Sequence, residues 1–231
     1  MLIERTQRRA HKIMTMFATN TADPNLRVIE RDPVPAALTR FIWDIQSMVE
    51  LAETEREILL IGSDLMARLI ATDDWLPTVF AVPNPAGGQQ FQIYRDGLER
   101  FSVVCTVLWG GAFVAISQPS VWEIAGVLRG AVTREQLDGF PTKHAQVGES
   151  RPLRPHAVEA RSSGSRDVLQ LYNTLSDRTS VVVHVYGGDI GQMSRRSGAP
   201  GGSIDARPLG YANAENSPPY DIFSIQNEIR D

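Results

Sequence analysis

In the stretch "VVVHVYGG", Val181 to Gly188, a histidine and a tyrosine alternate with valines. Strand geometry sends Val182, His184 and Tyr186 to one face and Val181, Val183 and Val185 to the other. Imidazole titrates near neutrality and a phenol can donate to a developing oxyanion, so His184 and Tyr186 could move a proton. The same pair could instead be a core histidine satisfied by a tyrosine. Glu123 follows Trp122 in "VWEIAGVLRG" and, counted by twos from Pro119, points toward the same interior. There it could act as a general base whose pKa burial has raised. The alternatives are that it faces solvent or pairs with Arg129 or Arg134. Ser117-Gln118-Pro119 interrupts an apolar stretch, and a proline inside a strand marks an edge, a bulge or a special site.

Trp122, with Trp109 and Phe91, could wall an apolar ligand, although strand aromatics are more often plain core. The sole cysteine, Cys105, lies in an apolar run and reads as an inert core thiol. One thiol makes no internal disulfide, and no Cys/His cluster has zinc spacing, which suits a reducing, cytoplasmic setting. The 231 residues are 42% apolar with a net charge of −4, enough for a full core and unlike a nucleic-acid binder. No apolar run reaches the roughly 20 residues a membrane span needs.

Two kinds of element must position these side chains. Leu38, Phe41, Ile42, Ile45 and Met48 recur at helical steps. Thr54 and Glu57 form a capping box before a second apolar series at Ile58, Leu59, Ile61, Leu65, Leu69 and Ile70. An antiparallel helical pair is therefore expected over 34–88, behind a tail at 1–33. From Gln89 the period becomes two. Gln90–Tyr94, Phe101–Trp109, Val121–Leu128, Val168–Tyr172 and Ser180–Tyr186 read as strands separated by Asp96-Gly97, Gly110-Gly111, Asp138-Gly139 and Gly187-Gly188. A mostly β barrel or jelly roll over 89–194 follows, with loops and one short strand at most in 140–165, and an irregular tail over 195–231.

Five stretches in order are similar to the cysteine dioxygenase type I family, which includes 3-mercaptopropionate dioxygenases. They are "ATDDWLPTVFAVPNP" (Ala71–Pro85), "DGLERFSVV" (Asp96–Val104), "VWEIAGVLRGA" (Val121–Ala131), "SDRTSVVVHVYGGDIG" (Ser176–Gly191) and "LGYANAENSP" (Leu209–Pro218). The resemblance implies a cupin fold, a double-stranded β-helix behind a helical pair. It also implies Fe(II) held by three histidines and the oxidation of a small thiol to a sulfinate. The three ligand positions, however, fall on Ser117, Pro119 and Leu169. Serine ligates Fe(II) poorly and the other two have no donor, so the iron is expected to be lost. His184 and Tyr186 match two members of the family's Ser-His-Tyr relay, with Val182 in place of the serine. Gln90 and Arg195 fall where the family holds the substrate carboxylate, and an arginine fork suits that group.

The expected activity is metal-independent acid–base chemistry (isomerisation, elimination, cyclisation or hydrolysis) on a small acidic substrate. The site would use His184, Tyr186 and Glu123, with Gln90, Arg195 and Trp122 binding. No cofactor, nucleic acid or membrane is expected, and a homodimer is compatible. The competing readings are a non-catalytic cupin that binds a small ligand, and an Fe(II) thiol dioxygenase with unorthodox ligands.

Overall fold

The computed structural model describes residues 34–117, 121–137, 147–164, 168–191, 194–197, 205–208, 211–213 and 220. The tail expected at 1–33, Pro119, and most of the tail beyond 197 lie outside the described residues.

Helix α1 (Ala36–Leu51) buries Leu38, Phe41, Ile42, Ile45 and Met48, the stripe its spacing predicts. Helix α2 (Glu55–Leu69) starts at Thr54, whose side chain accepts from the Glu57 amide. Glu57 reaches back to the amide of Glu53, one residue before the cap, so both ends of the capping box are used. Leu65, Met66 and Leu69 face inward, whereas Ile61 turns to solvent. Each fully buried aliphatic side chain contributes about 1.5–3 kcal/mol over an exposed one. Packing therefore dominates over intrinsic helix propensity here.

Among the described residues eleven strands follow: β1 (Gln89–Arg95), β2 (Ser102–Leu108), β3 (Phe113–Ser117), β4 (Glu123–Arg129), β5 (Val132–Leu137), β6 (Val147–Leu153), β7 (Val158–Arg161), β8 (Val168–Asn173), β9 (Ser180–Tyr186), β10 (Ser194–Ser197) and β11 (Asp205–Pro208). One sheet runs β1-β2-β9-β4-β7 and the other β3-β8-β5-β6, while β10 and β11 form a separate ribbon. From β2 to β9 each strand lies in the other antiparallel sheet from the one before it, except β5 and β6, which pair in one sheet, the order of a double-stranded β-helix. The fold is mostly β, a cupin-type jelly roll with two helices before it. No described helix is long and apolar enough to cross a membrane.

The segment 140–165 departs from expectation, since it holds β6 and β7 where one short strand at most was expected. Both lie at sheet edges and are largely polar, so they lack the period-two apolar signature of the central strands. Likewise β10 and β11 occupy part of the tail expected to be irregular.

The five-stranded sheet separates two apolar layers. Val103, Cys105, Ile124, Val183 and Val185 join the helices in one cluster. Leu108, Ala125, Val127 and Val182 join Leu169 and Leu171 between the sheets. Cys105 is buried and its thiol is pushed up to about 12, which keeps it inert.

Asn173 ties the ends of three strands together. Its amide nitrogen donates to the carbonyls of Leu108, Trp109 and Arg178. Its oxygen accepts from the Ser180 hydroxyl and the Leu175 amide. Asn173→Ala leaves these buried groups unsatisfied and is predicted to cost about 2–4 kcal/mol. That corresponds to a fall in Tm of about 5–15 °C by calorimetry. A loss below about 1 kcal/mol would remove Asn173 from this role.

Candidate functional site

Strands β4 and β9 pair with Glu123 opposite Tyr186 and Ala125 opposite His184. Alternation then places Glu123, His184 and Tyr186 on the face that looks toward the four-stranded sheet. Glu123 is only 5% exposed and His184 is fully buried. His184 Nδ1 lies 2.9 Å from Glu123 Oε1. The His184 and Tyr186 rings stack, with centroids 5.5 Å apart and planes 7° from parallel. The two side chains thus share a face by stacking rather than through a ring-to-hydroxyl bond.

Glu123 is further held from the opposite sheet. Arg134 on β5 places Nη2 3.1 Å from both carboxylate oxygens. Arg161 on β7 approaches to 3.7 Å. Burial alone would raise the Glu123 pKa. The Arg134 charge, the hydrogen bond and charge of His184 and the Arg161 charge outweigh that and hold it well below the usual carboxylate range. Glu123 is therefore ionised and accepts only, so it is not the raised-pKa general base that its position suggested. Because an ionised carboxylate cannot donate, the proton in the Glu123–His184 bond belongs to Nδ1. The lone pair of a neutral imidazole is then on Nε2. That atom is buried, with no hydrogen-bond partner among the described residues.

The ion pairs continue outward. Arg134 Nη1 donates to Glu159 Oε2 at 2.9 Å, and Arg151 Nη1 lies 3.1 Å from Glu159 Oε1. Arg151 reaches solvent, with 66% of its side chain exposed. These groups border a cleft of about 390 Å³ between edge strands β6 and β7.

The remaining candidates fall in different places. Gln90 is buried on β1, its amide donating to Thr106 Oγ1 at 3.1 Å. Trp122 packs into the helix-side cluster with Ile124, the layer opposite to Glu123, and so does not wall the interior. Arg195 is on β10, with its side chain outside the described residues. Leu169 is 4% exposed, borders the cleft and packs with Leu171 and Val182. On β3 and β8 the backbone of Ser117 pairs with Val168 and that of Ile116 with Leu169, so Ser117 and Leu169 are not cross-strand partners. A three-histidine iron centre does not fit these residues. Leu169 offers no donor, and no three His, Cys, Asp or Glu side chains among the described residues are grouped to hold a metal ion.

Sequence reasoning missed Arg161 and Arg151, weighed Glu159 only as a metal ligand with His144 and His156, and considered Arg134 only as a partner for Glu123. One signal was available. Glu159 and Arg161 are two residues apart in "VEAR", so a strand there must put opposite charges on one face.

No family model matches the chain. It is similar to several solved structures. One is an oxalate oxidase in complex with the substrate analogue glycolate, at 18% identity over 46% of this chain with a TM-score of 0.35. Another is the cupin domain of an XRE-family transcriptional regulator from Enterobacter cloacae, at 17% identity over 43% of this chain and 95% of that one, TM-score 0.34. A third is a conserved protein with a double-stranded β-helix domain from Klebsiella pneumoniae, at 14% identity over 51% of this chain and 92% of that one, TM-score 0.39. The chain spans about half, 53%, of the oxalate oxidase chain it matches.

The pairing of Glu123 sets a pH dependence. Its folded pKa is depressed, so its stabilisation is fully present above the ordinary value of 4.5 and is lost as pH falls below it. Glu123→Gln leaves Arg134 buried beside a neutral amide and is predicted to cost about 3–5 kcal/mol at pH 7. In urea denaturation the gap between native and variant should narrow steadily from pH 4.5 downward. A gap that stays constant down to pH 3 would contradict the ionised, paired carboxylate.

Proposed function

We propose that the chain is a cupin-fold enzyme that moves a proton on a small acidic substrate, with His184 as its base and without iron. One observation carries this reading: Nδ1 of a buried histidine is held by an ionised carboxylate while Nε2 has no partner among the described residues. A buried polar atom without a partner costs about 1–3 kcal/mol, which is retained where the atom has a task. As the base, His184 takes a proton at Nε2, and Glu123 stabilises the imidazolium that forms. Arg134 keeps Glu123 ionised. Tyr186, stacked on the ring, is the group placed to donate to an oxyanion. The arrangement suits isomerisation, elimination, cyclisation or hydrolysis, in each of which a proton leaves one atom and returns to another. The substrate is a small carboxylic acid, with no nucleic-acid or membrane partner. A cytoplasmic setting is supported by the single, inert cysteine.

A second reading, a cupin that binds a small ligand without chemistry, is favoured by the complete burial of His184 and by Leu169 and Val182 filling the interior.

Solvent-deuterium incorporation into a panel of short carboxylic acids, read by NMR, separates the two. The proposal predicts incorporation into at least one acid, lost about 10²- to 10⁴-fold in His184→Ala and reduced in Tyr186→Phe. Incorporation that survives His184→Ala would overturn the assignment, and binding without incorporation would establish the second reading. Elemental analysis after Fe(II) loading is predicted to find far less than stoichiometric iron, with no oxygen uptake on cysteine or 3-mercaptopropionate. Stoichiometric iron with thiol-dependent uptake would contradict the loss of the iron site.

A further inference from the structure

We propose that the side chain of Tyr211 is the door to His184, leaving a seat on Asp189 and Gly191 to admit the substrate over Val104. It rests on the reading of His184 as the base, since a base with no exposed atom needs an opening somewhere.

Three sides of the ring are closed by packing or by charge. Glu123, clasped by Arg134 and Arg161, takes the Nδ1 side. Ala125 and Val182, beside His184 on the inner face, pack with Leu169 and Leu171. The other face of the sheet lies against the helices. The fourth side is the small cluster of Val104, Tyr186 and Ile190. Val104 is the cross-strand neighbour of His184, and Tyr186 is the ring stacked on it. Among the described residues, the half-buried Val121 and Tyr211 pack on that cluster and stand between it and solvent. Val121 is fixed through its neighbour Trp122, which is buried in the helix-side layer and accepts from the Gly187 amide. Tyr211 is held by its side chain.

The seat is specific and can be vacated. The Tyr211 hydroxyl donates to Asp189 Oδ1 and accepts from the Gly191 amide, each at 2.9 Å. Asp189 is only 6% exposed, and its Oδ1 also takes the side-chain amide of Gln92 and the Gly191 amide, each at 3.0 Å. Its Oδ2 lies 3.6 Å from Arg95 Nη1. When the tyrosine leaves, Asp189 therefore keeps two donors and a cation, so its charge is not stranded. A Cβ on Gly191 would run into the Tyr211 ring, so glycine is what makes room for it. The backbone beside the ring is tied down separately. Ala212 donates to the Gln90 carbonyl at 2.7 Å, and the Asn213 side chain bonds both the amide and the carbonyl of Gln92 along the edge strand β1. The ring can thus swing about its own side-chain bonds while residues 212–213 stay on β1. Swinging breaks two hydrogen bonds that water replaces, whereas a route past Glu123 breaks a buried ion network.

Modification of the full chain by diethyl pyrocarbonate, with the carbethoxylated histidines located by peptide mass mapping, tests this, because the bare Nε2 of His184 is the nucleophile. In the native chain His184 should react slowly, at a rate nearly insensitive to low urea, as a local opening requires. Tyr211→Phe, which loses one charge-assisted bond, should raise that rate about 10-fold. Tyr211→Ala, which removes the ring, and Gly191→Ala, which evicts it, should raise it at least as much. The phenylalanine and Gly191 variants decide the matter if Tyr211→Ala does not fold. Val121→Ala should stay within about two-fold of the native rate. Unchanged rates in Tyr211→Phe and Gly191→Ala, an equal rise in Val121→Ala, or a native rate that climbs with urea as steeply as global unfolding would overturn the proposal. Deuterium incorporation that needs His184, with modification indifferent to Tyr211, would sink the door alone. Faster modification in the variants, with no incorporation into any acid, would sink the catalytic reading alone.

Discussion

A carboxylate buried between two β-sheets is the constraint around which this molecule is arranged. An unpaired ion there would cost far more than any single contact returns, so Glu123 must be neutralised or paired on several sides. It is paired. Arg134 reaches across from the four-stranded sheet, Arg161 flanks it on the neighbouring strand, and His184 donates from β9. Because Glu123 and Glu159 belong to one sheet and Arg134 to the other, the same ion pairs clasp the two sheets together. A pair of this kind adds little net stability over an apolar replacement, but removing one partner is costly.

The site follows from that clasp. An ionised Glu123 determines which nitrogen of His184 carries hydrogen, and so which nitrogen can accept a proton. The chain Arg151–Glu159–Arg134–Glu123–His184 runs from solvent to a fully buried ring with alternating charge. The other wall, where the resemblance puts metal ligands, offers the aliphatic side chain of Leu169.

Much of the fold was legible in the sequence, for identifiable reasons. The helices announce themselves because Leu38, Phe41, Ile42, Ile45 and Met48 keep a helical step and Thr54 with Glu57 makes a cap. The central strands β2 and β9 are buried on both faces and read as apolar runs. Strands β5 to β7 were hard to see because their inward residues include the arginines and glutamates of the ion network, so hydrophobic alternation is absent where it would normally mark a strand. The site was legible only in part. Parity placed Glu123, His184 and Tyr186 on one face, but the sign of the Glu123 shift depends on Arg134 and Arg161, which enter through pairing across strands and sheets. Composition cannot show that a buried acid has three cationic or donor neighbours. The misplacement of Trp122 has a simpler cause: it immediately precedes Glu123, the first residue of β4, and packs in the helix-side layer with Ile124.

The most direct test of this account is the tautomer of His184, read from ¹⁵N shifts of the ring in long-range ¹H–¹⁵N correlation spectra near neutral pH. The account predicts that whenever the ring is neutral its hydrogen is on Nδ1 and Nε2 is bare. It also predicts that Glu123→Gln, in protein that remains folded, weakens the preference for that tautomer. A ring with hydrogen on Nε2 and a bare Nδ1 would mean that Glu123 carries the shared proton. The ionised carboxylate would then be wrong, and with it the assignment of His184 as the base.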